Sequence, residues 1–176
     1  MNQTLETILT RRSTRKFLCK PIPEEEMELI VQAALHAPSA KGLQTWQFTV
    51  VRNREKIQKL ATAIREVLDR KGYNMYEPEA LVIPSNLKES PYGREDDACA
   101  MENMMLAAYS MGVGSCWLNQ PFHLQDDPDL RALLAPLGVT EKDLLCCALA
   151  LGLPQGELPR SRPERTGNLI TWVDGV

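Results

Sequence analysis

Residues 96–118 read Asp96-Asp97-Ala98-Cys99-Ala100-Met101-Glu102-Asn103-Met104-Met105-Leu106-Ala107-Ala108-Tyr109-Ser110-Met111-Gly112-Val113-Gly114-Ser115-Cys116-Trp117-Leu118. The pattern predicts a helix running into a strand. Asp96 and Asp97 suit a helix N-terminus, where carboxylates accept unpaired backbone N–H groups and meet the positive end of the dipole. Gly112 and Gly114 supply the stop. At about 100° per residue, Glu102, Asn103 and Ser110 share one arc, and Ala, Cys, Met, Leu and Tyr take the rest of the circumference. Glu102 and Asn103 interrupt the apolar run well short of the roughly 18 uncharged residues a membrane span needs. One layer of partners in a 176-residue chain hardly covers so wide an apolar surface. The helix is therefore expected at the middle of the core, with some of it against a second copy of the protein.

On the C-terminal side, Asn119-Gln120-Pro121-Phe122 makes a sharp turn, and a helix covers about 129–137. The apolar run 144–151 is expected as an interior strand, although its periodicity equally fits a short buried helix. Gly152-Leu153-Pro154 ends the compact region. The tail then holds Pro159, Arg160, Arg162, Pro163 and Arg165, and 169–173 reads as a last strand carrying Trp172. That tryptophan packs either on its own chain or across a partner subunit.

On the N-terminal side, the polar stretch 88–95 with Pro91 and Gly93 is a loop delivering the chain to the central helix. Residues 80–83 form a short buried strand ended by Pro84. Ile57, Leu60, Ala61, Ile64, Val67 and Leu68 set a helix over 54–71, and 47–51 reads as a strand. The loop 38–46 before it is rich in small residues that let a ligand approach the backbone, with Ser39 and Gln44 able to bond it. A plain helix-to-strand connection is the competing account. Met27, Ile30, Val31, Ala34 and Leu35 mark a helix entered at 21–24, and Leu5, Ile8 and Leu9 mark a shorter one over 4–12. Arg11-Arg12-Ser13-Thr14-Arg15-Lys16 follows, offering the forks and hydroxyls that a phosphate monoester needs. Taken alone, a solvated helix end accounts for it as well.

An apolar share of 44%, a charged share of 24% and a length of 176 residues predict one globular domain, 1–176, with 153–176 as an extended arm. The net charge of −3 argues against nucleic acid as a partner. Met1-Asn2-Gln3-Thr4-Leu5-Glu6 carries neither a basic nor an apolar targeting region, so a cytoplasmic protein is expected, with no membrane partner. Cys19, Cys99, Cys116, Cys146 and Cys147 form no C-x-x-C pair, and His36 and His123 stand apart, so neither a disulfide framework nor a metal site is expected.

Four segments in this order resemble the nitroreductase family of flavin enzymes. Arg11-Arg12-Ser13-Thr14-Arg15 resembles the family's segment that holds the phosphate and ribityl chain of FMN. Pro38-Ser39-Ala40 through Gln44 to Trp46 resembles its loop against the flavin ring. The central helix with Gly112-Val113-Gly114-Ser115-Cys116-Trp117 resembles its core helix and following strand, after which Asn119 and Gln120 match positions beside the reactive flavin nitrogen. Arg160 and Arg162 match a late basic pair that reaches the phosphate. Gly42 stands where the family often has Asn, and Thr45 where it has Pro.

The resemblance implies an α+β fold, a mixed and largely antiparallel sheet flanked by helices, in an intertwined homodimer with two FMN sites at its interface. It implies an oxidoreductase taking hydride from NADH or NADPH and passing electrons to a small electron-poor acceptor such as a nitroaromatic or quinone. The implied cofactor-binding set is Arg11, Arg12, Ser13, Arg15, Pro38, Ser39, Ala40, Gln44, Asn119, Gln120, Arg160 and Arg162. No side chain is assigned as a catalytic acid or base, since the cofactor carries the chemistry. An enone reductase, a reductive dehalogenase and a flavin-binding module without turnover stay open as alternatives, because a fold does not settle a function.

Overall fold

The runs 80–84 and 148–151 are apolar at successive positions, and a strand's period of two sends their side chains to opposite faces of one sheet. The computed structural model describes residues 2–167 and 170–173. In chain order its elements are α1 (Gln3–Thr10), α2 (Glu24–Leu35), β1 (Gln47–Val51), α3 (Arg54–Val67), β2 (Ala80–Leu87), α4 (Gly93–Ser110), β3 (Gly114–Leu118), α5 (Gln120–His123), α6 (Pro128–Leu134), β4 (Asp143–Leu145) and β5 (Ala148–Gly152). The strands lie in the order β1-β2-β5-β3, with β4 also on β2, and each of these pairings is antiparallel. This is the expected α+β class.

Leu81, Ile83, Ala148 and Ala150 face one way and pack with Ile57, Leu60, Ile64, Leu130 and Leu134 from α3 and α6. Ala80, Val82, Leu149 and Leu151 face the other way, onto Met27, Ile30, Met101, Met104 and Ala108 from α2 and α4. The central helix thus lies over the middle of the sheet as expected. Its Glu102 and Ser110 are exposed and its Met101, Met104 and Ala108 fully buried. Among the described residues, no helix is long and apolar enough to cross a membrane.

Several expectations are corrected. Helix α4 starts at Gly93 rather than Asp96, so Asp96 and Asp97 lie inside it and are buried instead of capping it. Pro84 does not end β2, which runs on to Leu87. The proline sits where one neighbour is interrupted: β5 pairs with 80–82 and β4 with 85–87, so a missing N–H is tolerated between the two ladders. The same interruption divides the expected strand 144–151 into β4 and β5 at Cys146-Cys147. The first helix is shorter than 4–12, and its Leu5, Ile8 and Leu9 are exposed. Residues 54–71 are helical only to Val67, and 120–123 form a helical turn. The helix expected at 129–137 is α6 followed by a 3-10 turn, Ala135–Leu137. Of the strand expected at 169–173, Leu169 lies outside the described residues and 170–173 form no strand, with Trp172 79% exposed.

Candidate functional site

The basic segment after α1 has no helix or strand of its own and takes its position from the sheet. Thr14 N–H donates to the Ser115 carbonyl at 2.8 Å, Leu18 N–H to Leu153 at 2.8 Å and Gln155 N–H to Lys16 at 3.0 Å. Two glycines make room for it. A Cβ on Gly114 would stand 2.7 Å from the Thr14 side chain, and one on Gly152 2.8 Å from the Phe17 ring. Gly112, with φ +79°, is the left-handed residue that ends α4. Gly114, expected to share in that stop, instead permits close approach.

So held, Arg11 extends along α4 to Glu102, with Nε 3.6 Å from the carboxylate. Arg12 Nη2 donates to the Ser161 carbonyl at 3.3 Å, which brings the tail between Arg160 and Arg162 against the N-terminal cluster. Tyr109 on α4 donates to the Pro159 carbonyl and holds the same stretch of tail. Arg160 lines a cleft of about 620 Å³ with Thr10, Tyr109, Ser110 and Glu157. Arg11 Nη1 and Arg12 Nε are buried without a hydrogen-bond partner. Two buried cationic donors without acceptors are the chemistry of an anion site, since such groups cost about 1–3 kcal/mol or more each when left unpaired.

Ser13 and Arg15 meet Cys116 on β3. Burial pushes that thiol above its ordinary value, opposed by the Arg15 charge and by hydrogen bonding to Ser13 and Arg15. Arg15 also stands over the Tyr76 ring, 5.8 Å from its centroid. Tyr73 donates to Gln120 Oε1 at 3.1 Å. Its hydroxyl is pushed up to about 12, chiefly by burial and then by Tyr76, so it stays a donor. Asn119 Nδ2 lies 2.9 Å from His123 Nε2, and Trp117 Nε1 donates to Asn119 Oδ1 at 3.4 Å. Tyr73 and Tyr76 are contacts the sequence reading missed. The signal present was the cluster Tyr73, Met75 and Tyr76 in a largely polar linker.

The loop 38–46 belongs to the other end of α4. Ala40 N–H donates to Asp96 Oδ1 at 2.9 Å, and Gln44 N–H to Ser39 Oγ at 3.2 Å. Lys41, Gly42 and Gln44 have φ of 56°, 64° and 50°. For the two non-glycine residues that conformation costs on the order of 1–3 kcal/mol each, and it persists only where neighbours hold it. Pro38 is exposed, beyond the end of α2. From Asp96, which holds this loop, to Tyr109, which holds the tail, the helix rises about 20 Å. The phosphate-type cluster gathers within one chain, and the ring-type loop stands apart from it.

Known proteins are similar to this chain over most of its length. The description "Nitroreductase family" fits residues 8–82 and 68–153. An Archaeoglobus fulgidus protein with a provisional NADH dehydrogenase/NAD(P)H nitroreductase name is 33% identical over 162 residues, covering 89% of this chain and 88% of that one. The NADPH-flavin oxidoreductase of Vibrio harveyi is 27% identical over 183 residues, covering 97% of this chain and 73% of its own. Among solved structures, a nitroreductase with bound FMN from Bacteroides fragilis superposes with a TM-score of 0.89 at 36% identity, covering 99% of this chain and 100% of that one. The match runs from the cation-bearing segment through the central helix to β5, and on its extent the chain belongs to the nitroreductase family.

Proposed function

We propose that this chain is an FMN-dependent oxidoreductase that takes reducing equivalents from NADH or NADPH and delivers them to a small electron-poor acceptor, a nitroaromatic or a quinone. The observation that carries the reading is the pair of buried, unpartnered guanidinium nitrogens, Arg11 Nη1 and Arg12 Nε, beside the tail arginines. They fit a terminal phosphate monoester, which Ser13, Arg15, Arg160 and Arg162 would complete. FMN supplies the hydride chemistry when bound, and the protein binds, orients and shields it. Gln120, held by Tyr73, and Asn119 would border the flavin ring, and the loop Pro38, Ser39, Ala40 and Gln44 would cover it.

A single chain does not bring that loop to its own cations. A second copy supplies it in this reading, so the working unit is a homodimer of single-domain chains with 153–176 as the exchanged arm. Exposed apolar residues support it: Leu5, Ile8 and Leu9 on α1, and Ile170, Trp172 and Val173 in the tail. A soluble chain rarely leaves such a set uncovered.

Purified protein is therefore expected to be yellow and to release FMN rather than FAD on denaturation, since no dinucleotide fingerprint accompanies the cations. Colourless protein that takes up no added FMN overturns the reading. NADH or NADPH oxidation by the loaded protein with a nitroaromatic or quinone then separates an enzyme from a binding module. Deleting the chain from Arg165 onward is expected to weaken both dimerisation and flavin retention. Light scattering with flavin quantitation checks it, and a stable, fully flavinated truncated dimer would exclude a necessary arm.

A further inference from the structure

Asp96 and Asp97 are adjacent on α4, and the two carboxylates reach the two ends of the same loop. Asp96 Oδ1 takes the Ala40 N–H at 2.9 Å, at the loop's start. Asp97 Oδ1 takes Asn86 Nδ2 at 3.0 Å, and Asn86 Oδ1 in turn accepts the Thr45 hydroxyl at 2.7 Å, at the loop's end. Asn86 is fixed on every side. Its Nδ2 also donates to the Gly93 carbonyl at 3.3 Å, its Oδ1 accepts Leu87 N–H at 2.9 Å, and a Cβ on Gly93 would stand 3.0 Å from its side chain. Both Asn86 and Asp97 are essentially inaccessible to water, at 1% and 0%.

We propose that Asp97, Asn86 and Thr45 form a positioning relay which, with Asp96, clamps the loop 38–46 in the shape that meets the flavin ring. The inference rests on the proposed role of that loop over the flavin. Between the two clamped ends lie Lys41, Gly42 and Gln44, all in the left-handed region, so the loop's shape is one its own residues do not favour. Asp97 is also costly where it stands, because its Oδ2 is buried with no hydrogen-bond partner beyond the weak Cys146 thiol. A buried carboxyl with one oxygen so poorly satisfied is a poor stabiliser, and its use here is to orient the Asn86 amide. Thr45 occupies the place where the resemblance puts a proline. A hydroxyl tied to a buried amide restrains this position in place of a ring.

The test is made on the full-length holoprotein with Thr45→Val, which removes the hydroxyl at constant volume, and Thr45→Ser, which keeps it. The expected result for Thr45→Val is faster amide hydrogen exchange across 38–46, FMN affinity reduced about five- to tenfold and an altered visible spectrum of the bound flavin. Thr45→Ser is expected to match the wild type in all three, which a merely structural contribution of side-chain volume would not produce. Unchanged exchange in Thr45→Val overturns the clamp. Faster exchange with unaltered flavin affinity and spectrum overturns its positioning role. Wild-type protein that takes up no FMN fails the underlying reading, and the positioning role with it, while the exchange data still report on the clamp.

Discussion

An Arg11→Ala, Arg12→Ala double variant is expected to lose FMN affinity by at least about a hundredfold while its flavin-free form melts no lower than the wild type. A hydrogen bond to a charged group contributes roughly 1.5–3 kcal/mol, so removing two costs about 3 kcal/mol at the low end, or a factor of more than about 100. The stability half follows from the same atoms. Arg11 Nη1 and Arg12 Nε are buried without partners, and the ion pair of Arg11 with a half-exposed Glu102 at 3.6 Å is of the kind that contributes under about 1 kcal/mol. The variant also loses the exposed hydrogen bond of Arg12 Nη2 to the Ser161 carbonyl, but with these weak contacts it removes two buried unmet demands, and the opposing terms are of similar size. Fluorescence titration of FMN, paired with thermal melts of the flavin-free proteins, checks both. A variant that melts lower and binds FMN as before would make the arginines structural.

The second large effect concerns Asp97. Burial is the first cause that raises its carboxyl from 3.8 to about 6, against hydrogen bonding to Cys146 and Asn86, with Asp96 adding to the rise. The folded state therefore holds this proton to higher pH than the unfolded chain does. The resulting stabilisation is complete below about 4 and is lost as pH rises through about 6. At about 1.36 kcal/mol per unit, the loss over that window is on the order of 3 kcal/mol. Asp97→Asn cannot ionise, so the difference between its stability and that of the wild type should climb by this amount from about pH 4 to about 6.5 and then level. Urea melts at several pH values measure it directly. A difference independent of pH would mean that Asp97 titrates alike in both states.

Much of this architecture was legible because periodicity depends on local chemistry. The strand 47–51 is legible with its bounds, since Phe48, Thr49, Val50 and Val51 are strand formers and Asn53 caps the helix that follows. The central helix shows two of its three polar residues, Glu102 and Ser110, to solvent as the arc implies, whereas Asn103 is half-buried and donates to the Ala33 carbonyl at 3.1 Å. The errors share a physical cause. Asp96 and Asp97 fit a helix start equally well as caps, and only the tertiary approach of Ala40 and Asn86 shows them to be internal ties. Pro84 and the Cys146-Cys147 break depend on which strand stands alongside, and nothing in a neighbouring sequence window reports that. Within the candidate site, charge alone does not separate the cation segment from a solvated helix end, and the burial of Arg11 Nη1 and Arg12 Nε is what distinguishes it. Arg131 was not distinguished from a surface helix residue. It is buried and donates to the Thr140 and Asp143 carbonyls at 2.8 and 3.0 Å, tying a loop instead of a ligand.

The glycines beneath Thr14 and Phe17 bear on how such a chain can vary. The cations of the anion site ride on a segment whose seat depends on two missing methyl groups, at Gly114 and Gly152, under the sheet's edge. Alanine at either position would displace that segment, and its arginines with it, by contact with the Thr14 and Phe17 side chains, although the sequence would keep every arginine and its overall charge. Tolerance to substitution is therefore low at two residues that carry no chemistry. A relative's ability to hold a phosphate is then to be judged there before its basic residues are counted.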